Sequence, residues 1–235
     1  MMDKLYIVIP AYNEEENIEA VAHEWHDIVV GTGEQGRLVI IDDGSKDNTF
    51  KKLQELQKEL PQLDAITKPN GGHGATVLYG YRYALDKGAD YVFQTDSDGQ
   101  TLPSEFGQFW DNRKYYDFQI GYRKGRQDGI SRVFVTKTLR LVLFIQFGMW
   151  IKDANTPFRL MSAGSLKEIL PMIPENHNLS NILLSVFYHK GKKNIKYYPI
   201  TFRPRQGGVN SINFKRITKI GWKAVRDFTQ LKKYL

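Results

Sequence analysis

The chain has 235 residues, 41% hydrophobic and 25% charged, which suits one sizeable globular domain and is short for two. It contains no cysteine, which excludes a disulfide scaffold, thiolate zinc or iron–sulfur ligation and a cysteine nucleophile. The net charge of +7 is unevenly spread: residues 187–235 carry thirteen Lys and Arg against one Asp, a net +12 that leaves −5 on residues 1–186. An acidic body with a basic end differs from a uniformly basic nucleic-acid binder, and no nucleic-acid partner is expected.

Strand and helix signals alternate along the first hundred residues. Residues 5–9 form an apolar run ended by Pro10, as expected of a strand buried on both faces. Too short and too β-branched for a secretory leader, this run leaves no visible targeting segment. Residues 14–30 place Ile18, Val21, Ala22, Trp25, Ile28 and Val29 at helical spacing, with His23 and His26 on the side expected to face solvent. A second buried strand follows at 38–41, then a helix with Ser45 or Asp47 as N-cap and Phe50, Leu53, Leu56 and Leu60 on one face.

A short strand at 65–67, a glycine-rich loop at 70–74, a helix through 79–85 and a strand at 91–95 complete the alternation. Beyond residue 100 strands are expected at 117–122 and 197–202 and helices at 132–150 and 178–189. The fold class is therefore α/β, with a mostly parallel sheet and helices on both faces. Ligands in such sheets gather at the carboxyl ends of the strands. Residues 10–14, 42–45, 70–74 and 96–100 all fall there.

The run Thr95-Asp96-Ser97-Asp98-Gly99-Gln100 is the sharpest chemical feature. If it is extended, residues two apart point the same way, and Asp96, Asp98 and Gln100 offer three oxygens to one hard cation. Mg²⁺ or Mn²⁺ suits such ligands where a diphosphate completes the shell. Asp42 and Asp43 follow a buried strand; a turn and helix cap account for Ser45, but two adjacent carboxylates exceed what a cap needs. One could accept hydrogen bonds from a base or ribose. Tyr12 and Glu14 add an aromatic face and a carboxylate at the neighbouring strand end, and the loop around Gly72 could let backbone approach phosphate.

Taken together, P-A-Y-N-E at 10–14, D-D-G-S-K-D at 42–47, N-G-G-H-G at 70–74 and D-S-D-G-Q at 96–100 resemble the motifs of family 2 glycosyltransferases. The resemblance implies the GT-A fold and a nucleotide-diphosphate sugar donor. It implies that Pro10, Tyr12, Glu14, Asp42, Asp43, Gly72 and Asp96 line the nucleotide pocket, while Asp96, Asp98 and Gln100 hold the metal. His73 stands where relatives usually carry Lys.

The second half is similar to the dolichyl-phosphate mannose synthase branch and its bacterial polyprenyl-phosphate relatives. On that resemblance Arg123 and Arg132 bind an acceptor phosphate, and the segment from Asp153 to Arg159 lies near the reaction centre. Arg205 and Ser211 belong to a segment that closes over the nucleotide. The implied reaction moves a sugar, with inversion, onto a polyprenyl phosphate. A lipid phosphate is already an anion and needs little general-base help, so the demand is electrostatic and falls on Asp98, Arg123, Arg132 and Arg159. A saccharide hydroxyl is the alternative acceptor; it needs a base, for which Asp153 is the candidate. A non-catalytic nucleotide-sugar or anionic-polymer binder is the reading from a different class.

The expected organisation is a catalytic domain over 1–212 and a basic amphipathic helix over 213–235. In that helix Phe214, Ile217, Val225, Phe228 and Leu231 share one arc, Lys215, Arg216, Lys219, Lys223 and Arg226 another, and Trp222 lies at the boundary. Such a helix either seats on an anionic membrane or packs on the domain with a solvated basic face. The longest apolar stretch, 139–151, contains Arg140 and Gln146 and falls short of the roughly 20 residues of a spanning helix. It offers a second interfacial helix. The expectation is a cytoplasmic enzyme that visits the inner face of a membrane without crossing it.

Overall fold

The structure, a computed structural model, describes residues 3–123, 130–175 and 177–204, and side chains throughout except at 130–138. The boundary at 212, the basic helix of 213–235 and the candidates Arg205 and Ser211 lie outside the described residues, as does the side chain of Arg132.

Fourteen elements carry the described chain, besides three short 3-10 turns. In order they are β1 (Leu5–Ala11), α1 (Ile18–Thr32), β2 (Arg37–Asp42), α2 (Thr49–Glu59), β3 (Leu63–Thr67), α3 (His73–Asp86) and β4 (Tyr91–Gln94). Then follow α4 (Gly107–Asp111), β5 (Phe118–Arg123), α5 (Ile130–Phe147), β6 (Arg159–Ser162), α6 (Ala163–Ile169), α7 (Ser180–Lys190) and β7 (Ile195–Ile200). The strands form one seven-stranded sheet in the order β3-β2-β1-β4-β6-β5-β7. Only β6 runs against its neighbours, antiparallel to both β4 and β5.

Successive residues of β1 serve opposite faces. Leu5, Ile7 and Ile9 join Trp25 of α1 and Leu53 of α2 in one core; Tyr6 and Val8 join Val77, Leu78 and Tyr81 of α3 and Leu183 and Leu184 of α7 in the other. This two-sided burial is why the strand reads as an unbroken apolar run. His26 is buried against this expectation of exposure, because it sits one residue beyond Trp25 on the packed side, and burial lowers its pKa.

β4 pairs with β1 only from Leu5 to Val8. At Pro10 the sheet is open on that side, where a residue without an N–H is tolerated. On β4, Phe93 is clamped by Trp25, Phe106 and Phe158, with ring centroids at 5.3, 4.9 and 4.7 Å. That aromatic cluster fixes the strand just ahead of Asp96. Among the described residues no helix is long and apolar enough to cross a membrane.

Candidate active site

A cleft of about 440 Å³ opens at the carboxyl ends of β1, β2 and β4. Pro10, Ala11, Tyr12, Glu14, Asp43, Asn70, Gly72, His73, Thr76, Asp96, Ser97 and Asp98 line it. Four of the motifs seen in the sequence therefore converge on one space.

The two loops that form one side of it are laced together. Asn13, at φ +53, receives an N–H bond on its Oδ1 from Lys46 and donates its own N–H to Ser45 Oγ, both at 2.9 Å. Glu15 accepts from Asn48 N–H, and Thr49 Oγ1 accepts from Glu14 N–H at 2.8 Å. Asn17 donates to Glu14 Oε2 at 2.9 Å, which fixes that buried carboxylate at the cleft wall. Tyr12 stays exposed, a ring with room to stack on a base.

Asp42 and Asp43 have separate duties. Asp42 is buried and turned away from the cleft lining; it accepts from Ser45 N–H and, at 2.7 Å, from Thr67 Oγ1, tying β2 to β3. Asp43 reaches the cleft and accepts from Lys68 Nζ at 2.5 Å and from the N–H groups of Gly71 and Gly72, both at 2.8 Å. Burial alone would raise its pKa; Lys68 and these N–H donors outweigh it and hold the carboxyl below its ordinary value. The glycine loop is thus folded around Asp43. Its N–H groups at 71 and 72 are already engaged by that carboxylate.

The segment after β4 is a turn, not an extended strand, with Gly99 at φ +67. Asp96 and Asp98 both face the cleft, but Gln100 does not line it: its amide donates to the Arg203 carbonyl at 2.8 Å. Strict alternation fails here because the glycine reverses the chain between Asp98 and Gln100. Ser97 donates to the Pro10 carbonyl at 2.9 Å and binds this turn to the end of β1. His73 Nε2 lies 2.9 Å from Asp96 Oδ1. The Asp96 carboxylate beside this exposed imidazole raises the His73 pKa above its ordinary value.

No group of three or more His, Cys, Asp or Glu side chains placed to hold a metal occurs among the described residues. Asp96 and Asp98 supply two hard carboxylates on one wall. That is a donor set suited to a cation whose remaining ligands are phosphate oxygens and water.

The candidates of the second half sit elsewhere. Arg123, at the end of β5, and Asp153 form a two-pronged ion pair, Nε to Oδ2 and Nη2 to Oδ1, both 2.8 Å, with both side chains largely buried. Arg159, which opens β6, is fully buried. Its Nη1 donates to the Asn181 carbonyl at 2.9 Å, its Nε to the Thr156 carbonyl at 3.0 Å, and its Nη2 to the carbonyls of Ala154 and Thr156. A guanidinium so enclosed organises the loop before β6; it does not present itself to an incoming phosphate, as the sequence had suggested. None of these three residues lines the cleft.

The family profile described as glycosyl transferase family 2 matches residues 6–202. The chain belongs to that family. This glycosyltransferase is 28% identical over 224 residues to the UDP-N-acetylglucosamine–dolichyl-phosphate N-acetylglucosaminyltransferase of Methanococcus voltae, covering 85% of this chain and 86% of the relative. It is 25% identical over 226 residues to the polyprenol monophosphomannose synthase of Mycolicibacterium smegmatis, covering 92% and 84%. With the undecaprenyl-phosphate 4-deoxy-4-formamido-L-arabinose transferase of Pectobacterium atrosepticum it shares 26% identity over 156 residues, and the match spans 47% of that relative. Its fold matches glucosyl-3-phosphoglycerate synthase from Mycobacterium tuberculosis, solved with Mn²⁺, UDP-glucose and phosphoglyceric acid, at a TM-score of 0.70 and 17% identity over 97% of this chain and 79% of that one. The architecture of the glycosyltransferase is GT-A.

Five cleft residues of the glycosyltransferase escaped the sequence reading as individual site residues: Ala11, Asn70, His73, Thr76 and Ser97. Thr76 donates to the Gly72 carbonyl at 3.1 Å and Asn70 to the Asp43 carbonyl at 2.8 Å. Asn70 and Ser97 sat inside motifs already noted; Thr76 carried only its place one turn into the helix after the glycine loop.

Proposed function

We propose that this glycosyltransferase moves a sugar, with inversion, from a nucleotide-diphosphate sugar to a polyprenyl phosphate at the cytoplasmic face of a membrane. The observation that carries the donor half is the convergence of Tyr12, Glu14, Asp43, Asp96 and Asp98 on one cleft at the strand ends. The acceptor half is supported by the named relatives, which act on dolichyl, undecaprenyl or polyprenol phosphates. It is supported too by the pairing of Asp153 with Arg123. Both carboxylate oxygens of Asp153 accept from Arg123, which makes Asp153 a poor general base. A phosphate acceptor needs none.

In this reading Tyr12 stacks on the base and Glu14, held by Asn17, accepts from the nucleoside. Asp43 sets the shape of the glycine loop, so Gly72 lets the donor lie close to the backbone. Asp96 and Asp98 hold a divalent cation, Mg²⁺ or Mn²⁺, which when bound offsets the charge of the leaving diphosphate. Arg123 and Arg132 are assigned to the acceptor phosphate, and Arg205 and Ser211 to the donor. The catalytic domain is taken as 1–212 and the basic segment 213–235 as its membrane-facing extension.

The test is transfer by the full chain from a panel of UDP- and GDP-sugars, with Mn²⁺ or Mg²⁺, to undecaprenyl phosphate, dolichyl phosphate or an oligosaccharide. Product is identified by mass and its anomeric configuration by NMR. Transfer to a lipid phosphate, stopped by chelation and cut roughly a hundredfold or more by Asp98→Ala, is expected. Transfer to the oligosaccharide with none to either lipid phosphate overturns the acceptor assignment.

A further inference from the structure

Residues 201–203, just past β7, are fastened to the turn that carries Asp96 and Asp98. The base of that turn is closed by Thr95 and Thr101, whose hydroxyl oxygens lie 2.7 Å apart. Gln100 is buried, and each of its polar groups is in use. Its N–H donates to Asp98 Oδ1 at 3.1 Å, and its carbonyl accepts from Arg203 N–H at 2.8 Å. Its side-chain amide returns the bond, donating to the Arg203 carbonyl at 2.8 Å. Two residues earlier, Thr201 N–H is shared by both carboxylate oxygens of Glu105, each at 2.9 Å. Arg203 Nη2 also reaches the Thr101 carbonyl at 3.4 Å. Buried backbone groups must find partners, but Thr201 and Pro204 are exposed, and water could serve the segment there. That side chains of the turn and of Glu105 hold it instead points to a need for fixed position.

Phe202 lies between the two fastened residues. β5 and β7 pair in parallel as far as Arg123 opposite Ile200, so the segment begins where that arginine ends its strand. The Arg123 guanidinium sits 5.1 Å from the centroid of the Phe202 ring, while Asp153 grips the same guanidinium through two hydrogen bonds. An aromatic face supports a guanidinium without consuming any of its hydrogen-bond donors. An unbroken run of contacts therefore leads from Asp98 through Gln100 and Arg203 to Phe202 and Arg123. Reaction between two bound groups depends on their separation, and a misplacement of about 1 Å can cost about a hundredfold in rate.

We infer that residues 201–203 are a strap that sets the place of Arg123 relative to the turn of Asp96 and Asp98, with Gln100 and Phe202 as its positioning residues. Gln100 fastens the strap to the turn and is not a third ligand of a cation. Phe202 carries the guanidinium. That the guanidinium so placed meets an acceptor phosphate rests on the polyprenyl-phosphate reading; the strap itself does not.

Full-chain variants separate the two, each checked for folding by its thermal melt. Gln100→Glu keeps an oxygen for a cation but sets a carboxylate against the Arg203 carbonyl, and Gln100→Ala removes the fastener with less disturbance. Phe202→Leu keeps apolar bulk without the aromatic face, and Phe202→Tyr keeps the face. The first readout needs no acceptor: the Arg123 Nε–H resonance in ¹H–¹⁵N spectra, assigned by its loss in Arg123→Lys. It is expected to shift in both Gln100 variants and in Phe202→Leu, and to stay near its wild-type position in Phe202→Tyr. Mn²⁺ affinity, titrated by calorimetry with UDP and with GDP, is expected to be unchanged in all four. Gln100→Glu and Phe202→Leu are each expected to raise the KM for undecaprenyl phosphate about tenfold at an unchanged donor KM, and the double variant no further, since both act through one strap. An Mn²⁺ affinity that Gln100→Ala lowers and Gln100→Glu restores makes Gln100 a metal ligand and overturns the inference. So does an Arg123 signal that follows Phe202 but ignores Gln100, or an acceptor KM that stays put while the signal moves. A signal that moves as expected in an enzyme that transfers to no lipid phosphate sinks the acceptor assignment and leaves the strap standing.

Discussion

Arg123 and Asp153 meet through two parallel hydrogen bonds of 2.8 Å, one guanidinium fork on one carboxylate, in a place where both are largely shielded from water. Shielding raises the cost of breaking such a pair, because the survivor keeps a charge with no partner. Asp153→Ala is expected to lower the unfolding free energy by about 3 kcal/mol. Arg123→Lys is expected to recover little, since an ammonium cannot reproduce the fork. Urea denaturation of the two single variants and the double variant tests this: the double should lose much less than the sum of the singles. Additive losses would show that the pair is not coupled in solution.

Asp43 makes the stability of this side of the cleft pH-dependent. Its folded pKa is depressed, burial being outweighed by Lys68 and the N–H groups of Gly71 and Gly72. A depressed carboxyl contributes stability that is fully present above its unfolded value of about 4 and is lost as the pH falls through the lower folded value. Asp43→Asn is expected to be less stable than wild type by about 2 kcal/mol at neutral pH. The two melting curves should approach each other as the pH drops below about 4. A gap that is constant with pH would mean the ionised form is not what the loop depends on.

These two carboxylates also show what the sequence could and could not disclose. The parallel strands β1 and β2 were legible because burial on both faces writes an unbroken apolar run, and the polar motifs just after them had to lie at the cleft. Which of Asp42 and Asp43 faces that cleft was not legible, since it depends on Thr67 and the glycine loop arriving from distant positions. β6 was missed because its four residues open with the buried Arg159 and carry no apolar periodicity. Asp96, Asp98 and Gln100 were assigned one direction by alternation, and a single glycine at positive φ was enough to send Gln100 to Arg203. The Arg123–Asp153 pair brings together positions thirty residues apart, and no local pattern encodes it.

The start of α3 offers a steric test of the cleft wall. A Cβ at Gly74 would lie 2.3 Å from the His177 carbonyl oxygen and 2.7 Å from the Asn178 carbonyl carbon, both backbone atoms with little freedom to retreat. Gly74→Ala is expected to destabilise by about 2 kcal/mol through overpacking and to weaken nucleotide-sugar binding by shifting the neighbouring loop. Gly107→Ala, where no atom lies within 4 Å of the added Cβ, is the matched control and should change neither. Thermal melts with and without donor read both effects; equal behaviour of the two variants would contradict the close approach of α3 to residues 177–178.

Arg159 distinguishes a folding role from a catalytic one. Its guanidinium is enclosed and donates to the carbonyls of Ala154, Thr156 and Asn181, so it holds the loop before β6 to the start of α7. Arg159→Met keeps the length and apolar bulk but leaves those carbonyls without a donor, and is expected to cost about 3 kcal/mol or more. Arg159→Lys supplies a charge and some of the bonds, and its loss should be intermediate. The activity readout separates the roles. If Arg159 acts only through the fold, transfer by the Lys variant, scaled to the folded fraction at low temperature, keeps the wild-type KM for the acceptor. A raised acceptor KM with unchanged stability would place the guanidinium on the phosphate and contradict its enclosure.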